Sequence, residues 1–203
     1  MNPDAKPKYG AVVPFPRPEA ALPSRSDDEL MRLSSAGMDD AFAALVRRYQ
    51  GTVRGFCARF CGGPATGDDV AQEVFVELWR TRERYEPRGK FRAYLFLIAQ
   101  TRCLNAIRRK RHEEELSHDL VQPGTEVEAL LDHDRALRVR KKLDLLPSKL
   151  REALLLRYSA GLDYDEMAKV LARSPSTVRS RVFHGLLRLR RLFGEEVDHE
   201  LPE

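Results

Sequence analysis

Six polar side chains in the last third of the chain, Ser176, Thr177, Arg179, Ser180, Arg181 and His184, stand opposite an apolar stripe of Val178, Val182, Leu186 and Leu189 at helical spacing. Short hydroxyls suit phosphate oxygens, and a guanidinium can grip a guanine edge with two parallel hydrogen bonds. The chemistry implied is recognition of duplex DNA, with base readout resting on Arg179 or Arg181. The bland alternative is a solvated outer helix face. Against it, a cap, a turn and a cationic face all coincide in this stretch.

Those residues need a scaffold, and residues 163–191 contain the parts of a helix-turn-helix in order. Asp163 followed by Glu166 is a capping box opening a short helix that buries Met167, Ala168 and Leu171. Ala172, Arg173 and Ser174 form the turn. Ser174 caps the next helix, and Pro175 takes its first position, where a missing N–H costs nothing.

Upstream, a separate helical module is expected. Phe42, Leu45, Val46, Tyr49, Val53, Phe56, Cys57 and Phe60 recur at intervals of three and four, the stripe of an amphipathic helix that Gly62-Gly63-Pro64 stops. A second helix is expected from about Asp68-Asp69, burying Val70, Val74, Phe75, Leu78 and Trp79, with Pro87 and Gly89 beyond its end. A third runs from about Lys90 to Arg111, opening with Phe91, Tyr94, Leu95 and Ile98 and closing in Arg108-Arg109-Lys110-Arg111. Leu146-Pro147 divides two helices of the C-terminal module. Sustained period-two alternation is missing, so the fold class predicted is all-α: two small helical domains joined by a flexible acidic linker, the C-terminal one a helix-turn-helix.

Charge is sorted along the chain. Residues 112–134 carry eight acidic residues and no Lys or Arg, whereas residues 135–194 carry fifteen basic against five acidic. Basic surfaces gather polyanions by releasing counterions, which makes nucleic acid the leading partner. The organisation read from these shifts is a disordered Pro- and Ala-rich leader (1–25), an N-terminal module (26–111), an acidic linker (112–134), a C-terminal module (135–194) and an acidic tail (195–203). The prolines of the leader do not suit a secretory peptide, and no apolar run is long enough to span a bilayer, so membrane insertion is not expected and a cytoplasmic location is.

Nothing assembles for catalysis: there is no Gly-rich phosphate loop, no HExxH and no nucleophile elbow. A binding protein without a cofactor is expected, not an enzyme. Cys57 and Cys61 lie four apart on one helix, while Cys103 is unplaced by the sequence. Three thiols without an export signal argue for reduced cysteines, either as small buried hydrophobes or as a zinc or redox site; no metal is assigned. His112, His118 and His133 fall in the polar linker and read as solvated.

The stretches DDVAQEVFVELW (68–79), FRAYLFLIAQTRCLNAIRRKR (91–111), LLPSKLREALLLRY (145–158) and LDYDEMAKVLARSPSTVRSRV (162–182), in this order and separation, resemble the extracytoplasmic-function subfamily of sigma-70-type RNA polymerase sigma factors. The resemblance covers residues 27–111 and 135–193. It implies that the first module, region 2, docks on the polymerase clamp and captures the minus-ten element, and that the second, region 4, reads the minus-thirty-five element beside the flap. Asp69, Gln72, Glu73 and Phe75 then fall in the clamp-docking helix, although a capped amphipathic helix explains Val74, Phe75 and Trp79 as core and leaves polymerase contact to Gln72 and Glu73. Arg102, Arg108, Arg109 and Arg111 would follow the single-stranded backbone while Gln100 and Asn105 hydrogen-bond a base edge. Tyr94 and Phe96 suit either base stacking or the core. The acidic linker would run through the polymerase, or simply tether the modules. An anti-sigma factor is the implied partner that holds such proteins inactive.

The chain departs from the usual pattern in places. Ala99-Gln100-Thr101 stands where Ala-Arg-Asn is common, and Asn105 where an acid is. The glycine of the helix-turn-helix turn is Ala172, and a second frequent glycine is Ser176. Because Ala tolerates a left-handed backbone poorly, a right-handed turn is expected. Two other functions remain to be distinguished: a stand-alone helix-turn-helix regulator of duplex DNA, and a helical adaptor whose basic charge is incidental.

Overall fold

A computed structural model describes residue 22, residues 24–116 and residues 132–197. The leader up to Ala21, residues 117–131 of the linker and residues 198–203 of the tail lie outside the described residues. The described residues form helices and connecting turns, in two modules.

The N-terminal module starts with α1 (Asp27–Ser35), which the apolar periodicity had not revealed. Its signal is local: Ser26 accepts from the Glu29 amide while the Glu29 carboxylate accepts from the Ser26 amide. The acidic first turn then anchors long-range partners. Tyr49 donates to Asp27, and Asp28 accepts from both the Tyr85 hydroxyl and the Gly89 amide. Burial, then the carboxylate partner, pushes both tyrosine hydroxyls well above their ordinary range.

Helix α2 (Asp39–Cys61) is stopped by Gly62 in the left-handed conformation at φ 86°, and α3 (Pro64–Thr81) begins at once with Pro64 in its first turn. The second helix therefore starts four residues before Asp68. Gly67 explains the tightness of this corner: a Cβ placed there would sit 2.4 Å from the Ala58 Cα, so α2 and α3 touch backbone to backbone. A 3-10 turn (Arg82–Arg84) and a short loop lead to α4 (Phe91–Leu116). Helix α4 runs five residues past Arg111, so His112 is an exposed helical residue and not a linker residue. An unbroken helical run without Gly or Pro between Phe91 and Leu116 accounts for the extension. Phe56, Phe96, Leu45, Leu78, Leu95 and Val53 fill the centre of this module, each burial contributing about 1.5–3 kcal/mol.

The C-terminal module comprises α5 (Asp132–Asp144), α6 (Ser148–Leu154), which continues as one π-helical turn through Ser159, α7 (Tyr164–Leu171) and α8 (Pro175–Val197). Helix α5 begins three residues before Arg135. Leu154, Leu155, Leu156, Leu162, Met167, Val170, Val178 and Val182 form its core.

Two expectations for this module are corrected. Ala172 is left-handed, at φ 48° and ψ 49°. Its amide reaches the Ala168 and Lys169 carbonyls and the Arg173 amide the Ala168 carbonyl, so closing the end of α7 outweighs a strain of about 1–2 kcal/mol. Leu186 is 41% exposed instead of facing inward. The buried seam of α8 runs through Val178, Val182 and Gly185, where the glycine lets the Leu154 side chain approach, and on to Leu189, leaving Leu186 on the flank.

The modules pack against each other. Arg92 of α4 donates to the Ala160 and Gly161 carbonyls and lies 3.6 Å from the Glu166 carboxylate, while the Gln100 amide donates to Glu152 of α6.

Candidate nucleic-acid interface

The start of α8 is built as a hydroxyl cluster. Ser174 caps the helix by accepting from the Thr177 amide at 3.2 Å, and its Oγ lies 2.9 Å from the Ser176 hydroxyl and 2.8 Å from that of Thr177. Three short polar side chains at a helix N-terminus place hydroxyl donors where the helix end already favours anions. One turn on, the guanidinium of Arg179 lies 5.1 Å from the centroid of Tyr164, which the Arg157 guanidinium approaches at 5.0 Å. Arg179 is thus partly preorganised on an aromatic shelf from α7, although it stays exposed. Ser176, Thr177, Ser180 and His184 are exposed as well, and Arg181 is half-buried. The structure brings all six of these residues onto one end of one helix.

Phe183 joins them unannounced. It is 62% exposed and its ring meets His184 edge to face at 5.4 Å. Its spacing of three and four from Ser180 and Arg179 was the available signal, masked by its reading as an ordinary apolar residue.

The α4 candidates fall into two groups. Gln100 is 8% exposed and its amide is engaged by Glu152. Arg102 is paired with Glu77 at 2.6 Å, and Arg109 lies 3.7 Å from Glu73. Asn105, Arg108 and Arg111 are exposed on the outer surface of the helix. In this arrangement Gln100 therefore faces the other module, while the exposed polar surface lies one turn and more beyond it. Tyr94 donates to the Thr81 hydroxyl at 2.7 Å, which in turn donates to the Glu77 carbonyl, and its ring lies near that of Tyr85, while Phe96 is fully buried against Phe56. Both aromatic side chains are core here.

On α3, Asp69 and Gln72 are exposed, and Val76, 50% exposed, continues their face. Glu73 is half-buried beside Arg109, and Phe75 packs against the core. Trp79 is held edge to face by Phe42 at 4.9 Å and covered by the Arg82 guanidinium at 3.8 Å. Asp68, next to the predicted set, forms a two-pronged pair with Arg54 at 2.9 and 2.7 Å, which holds its carboxyl below the ordinary range.

Comparison with known proteins decides between an initiation factor and a stand-alone regulator. Residues 45–113 match the family described as Sigma-70 region 2, and residues 136–189 match Sigma-70, region 4. The RNA polymerase sigma factor CarQ of Myxococcus xanthus is 34% identical over 164 residues, 78% of this chain and 92% of that relative. The chain belongs to the extracytoplasmic-function sigma factors. The ECF RNA polymerase sigma factor SigK of Mycolicibacterium vanbaalenii is 29% identical over 91% of this chain and 95% of its own length. The fold is also that of CnrH, solved in complex with the cytosolic domain of CnrY, at a TM-score of 0.68 with 24% identity, covering 83% of this chain and 97% of that one.

As a sigma factor, the chain binds core RNA polymerase, recognises minus-thirty-five and minus-ten promoter elements and starts transcription. The region 2 match spans most of α2, all of α3 and most of α4, and the region 4 match spans most of α5 through most of α8. Helix α1 of this sigma factor lies ahead of the first match. Among the described residues, no helix is long and apolar enough to cross a membrane.

Sequence reasoning missed the residues that support the contacts: Tyr164 beneath Arg179, Glu77 and Glu73 beside the α4 cations, and Arg92 and Glu152 between the modules. Each pair is distant in sequence, from 15 residues for Tyr164 and Arg179 to 74 for Arg92 and Glu166, and no local pattern reports it.

Proposed function

We propose that the sigma factor reads its minus-thirty-five element by laying the first turns of α8 in the major groove. Ser174, Ser176 and Thr177 hold a phosphate at the helix start, Arg179 and Arg181 read guanine edges, and Ser180, Phe183 and His184 line the groove wall. The observation that carries this is the shelf beneath Arg179: Tyr164 restrains the guanidinium while its face stays open, reducing what binding must order. Region 2 uses Asp69, Gln72, Glu73 and the adjacent Val76 on the polymerase clamp, with Phe75 and Trp79 stiffening that helix from within. Asn105, Arg108 and Arg111 follow the backbone of the melted minus-ten strand, joined by Arg102 and Arg109 when their acidic partners yield them. Gln100 contributes only once the modules separate and Glu152 releases it.

The work done is binding energy spent on separating DNA strands, so the protein acts in the cytoplasm as a polymerase subunit and not as an enzyme in its own right. The solved RpoE of Bartonella quintana, bound to the anti-sigma factor NepR, shares the fold at a TM-score of 0.61 with 20% identity over 75% of this chain and 96% of that one. By the same logic an anti-sigma factor restrains this chain by covering its polymerase-facing helices.

Transcription in vitro with purified bacterial core polymerase tests the proposal. Initiation at cognate promoters should depend on the added protein, and Arg179→Ala and Arg181→Ala should each lose about 1–3 kcal/mol of discrimination at one minus-thirty-five base pair. No stimulation by the parent protein, together with tight duplex binding in the absence of polymerase, would instead assign a stand-alone regulator.

A further inference from the structure

The three cysteines meet in space although the DNA- and polymerase-facing surfaces do not use them. Cys57 and Cys61 lie on the last two turns of α2, on the side that faces α4, and Cys103 lies on the facing side of α4. Tyr49 meets Phe91 at 5.5 Å and Phe56 meets Phe96 at 5.3 Å along the same two helices, so Cys103, seven residues beyond Phe96, comes beside the end of α2 that carries Cys57 and Cys61. Cys57 and Cys103 are fully buried, while Cys61 is half-buried at the end of its helix. An arrangement with one accessible thiol backed by a buried neighbour has the form of an attacking and a resolving cysteine.

We infer that Cys61 and Cys103 form a reversible disulfide under oxidation by hydroperoxides, tying the end of α2 to α4 and switching the promoter-melting module. The Cys61 thiolate attacks the distal oxygen of a hydroperoxide ROOH, and with one proton taken up this yields Cys61–SOH and ROH. The Cys103 sulfur, losing its proton, then attacks the Cys61 sulfur and water leaves. In sum, two thiols and ROOH give one disulfide, ROH and H2O, a two-electron oxidation that a dithiol reductant reverses.

The surroundings favour this order of events. The hydrogen bond from Cys103, then the charge of Arg151, hold the Cys61 thiol below its ordinary range despite partial burial and the opposing charge of Glu73. Cys103, hydrogen-bonded to both neighbours and buried, is pushed far above its own, which suits the second step and not the first. A zinc ion would need a tetrahedral donor set, and the described residues hold no group of His, Cys, Asp and Glu arranged for a metal. Oxidation needs only the pair.

The position gives the bond leverage. Forming it draws two free thiol sulfurs to about 2.05 Å, so the backbones of α2 and α4 must shift where they pack. Asn105, Arg108 and Arg111 follow Cys103 on α4 by two, five and eight residues. Cys61 also adjoins the seam between modules, where Arg151 of α6 acts on it and Arg140 of α5 lies 3.4 Å from the Cβ position of Gly63.

The test uses the full chain, assayed reduced and after brief treatment with cumene hydroperoxide. The reduced protein should present three thiols, the oxidised one a single thiol and a Cys61–Cys103 linked peptide within a monomer, restored to three by dithiothreitol. Oxidation should lower polymerase-dependent initiation by about tenfold, the usual scale of coupling between two sites, and dithiothreitol should restore it. Cys61→Ser should abolish both effects and Cys57→Ser neither. In Cys103→Ala the sulfenic acid at Cys61 should persist long enough for dimedone to trap it, which separates loss of resolution from loss of folding. Survival of all three thiols, linkage only between chains, or equal inactivation of Cys61→Ser would overturn the inference, as would a disulfide that leaves initiation unchanged. The activity readout rests on the sigma-factor role, whereas the thiol count does not: an inactive reduced protein would indict that role alone.

Discussion

Gly67→Ala is a sharp test of how α3, the helix proposed to dock on the clamp, is held. The added Cβ would stand 2.4 Å from the Ala58 Cα, 2.5 Å from its amide nitrogen and 2.8 Å from its Cβ. Carbon atoms rest about 3.5–4.0 Å apart, so α2 and α3 must separate by about 1 Å at their corner, and the obstacle is backbone that no rotamer change can move. Overpacking of this kind costs about 1–3 kcal/mol, with more expected where backbone must move. The better helix propensity of Ala returns up to about 1 kcal/mol, leaving a net loss of about 1–2 kcal/mol. Gly51→Ala is the matched control: it lies within α2 with nothing inside 4 Å of its Cβ position, and should gain about 0.5–1 kcal/mol. Urea unfolding followed by helical circular dichroism should therefore move the two midpoints in opposite directions. Because Asp69 and Gln72 follow Gly67 on α3, core-polymerase capture by Gly67→Ala should also weaken while duplex binding by α8 holds. A Gly67→Ala midpoint at or above that of the parent, or a Gly51→Ala midpoint that falls as far, would refute the close-contact argument.

Other expectations follow from the same contacts. Ser174→Ala removes the cap of α8 and should cost about 1 kcal/mol of stability, weakening duplex binding in a gel shift more than Ser180→Ala does. Ser26→Ala and Arg54→Ala test pH linkage. The Ser26 backbone N–H first and its hydroxyl second hold the Glu29 carboxyl, and Arg54 the Asp68 carboxyl, below their ordinary values of 4.5 and 3.8, so Ser26→Ala removes only the hydroxyl's part of the Glu29 shift. A depressed folded pKa stabilises the fold above the unfolded value, and that contribution is lost as pH falls through the folded one. The deficit of each variant relative to the parent, measured by urea unfolding, should thus be present at pH 7 and shrink below about pH 4; a deficit constant with pH would contradict it. Arg92→Ala removes the donor to the Ala160 and Gly161 carbonyls and should loosen the modules, seen as a larger radius of gyration in small-angle scattering. An unchanged radius would mean that the seam is held by other contacts.

The sequence alone determined the parts whose causes are local. The capping box at Asp163, the Ser174 cap, Pro175 and the valine seam of α8 act within a few residues of one another, so the helix-turn-helix and its outward polar face were legible from spacing. So was the two-module, all-helical organisation, because apolar periodicity and charge blocks are one-dimensional signals. Tertiary structure decided whatever depends on which helices meet. It buried Gln100 against Glu152, gave Arg102 and Arg109 acidic neighbours on α3, slid Tyr164 under Arg179 and gathered three cysteines that lie up to 46 residues apart. It also left Leu186 outside the core, since α8 buries Gly185 against Leu154 instead. A period of 3.6 residues fixes which side chains share a face, but the partner across that face sets which of them are spent within the fold and which remain open to polymerase and promoter.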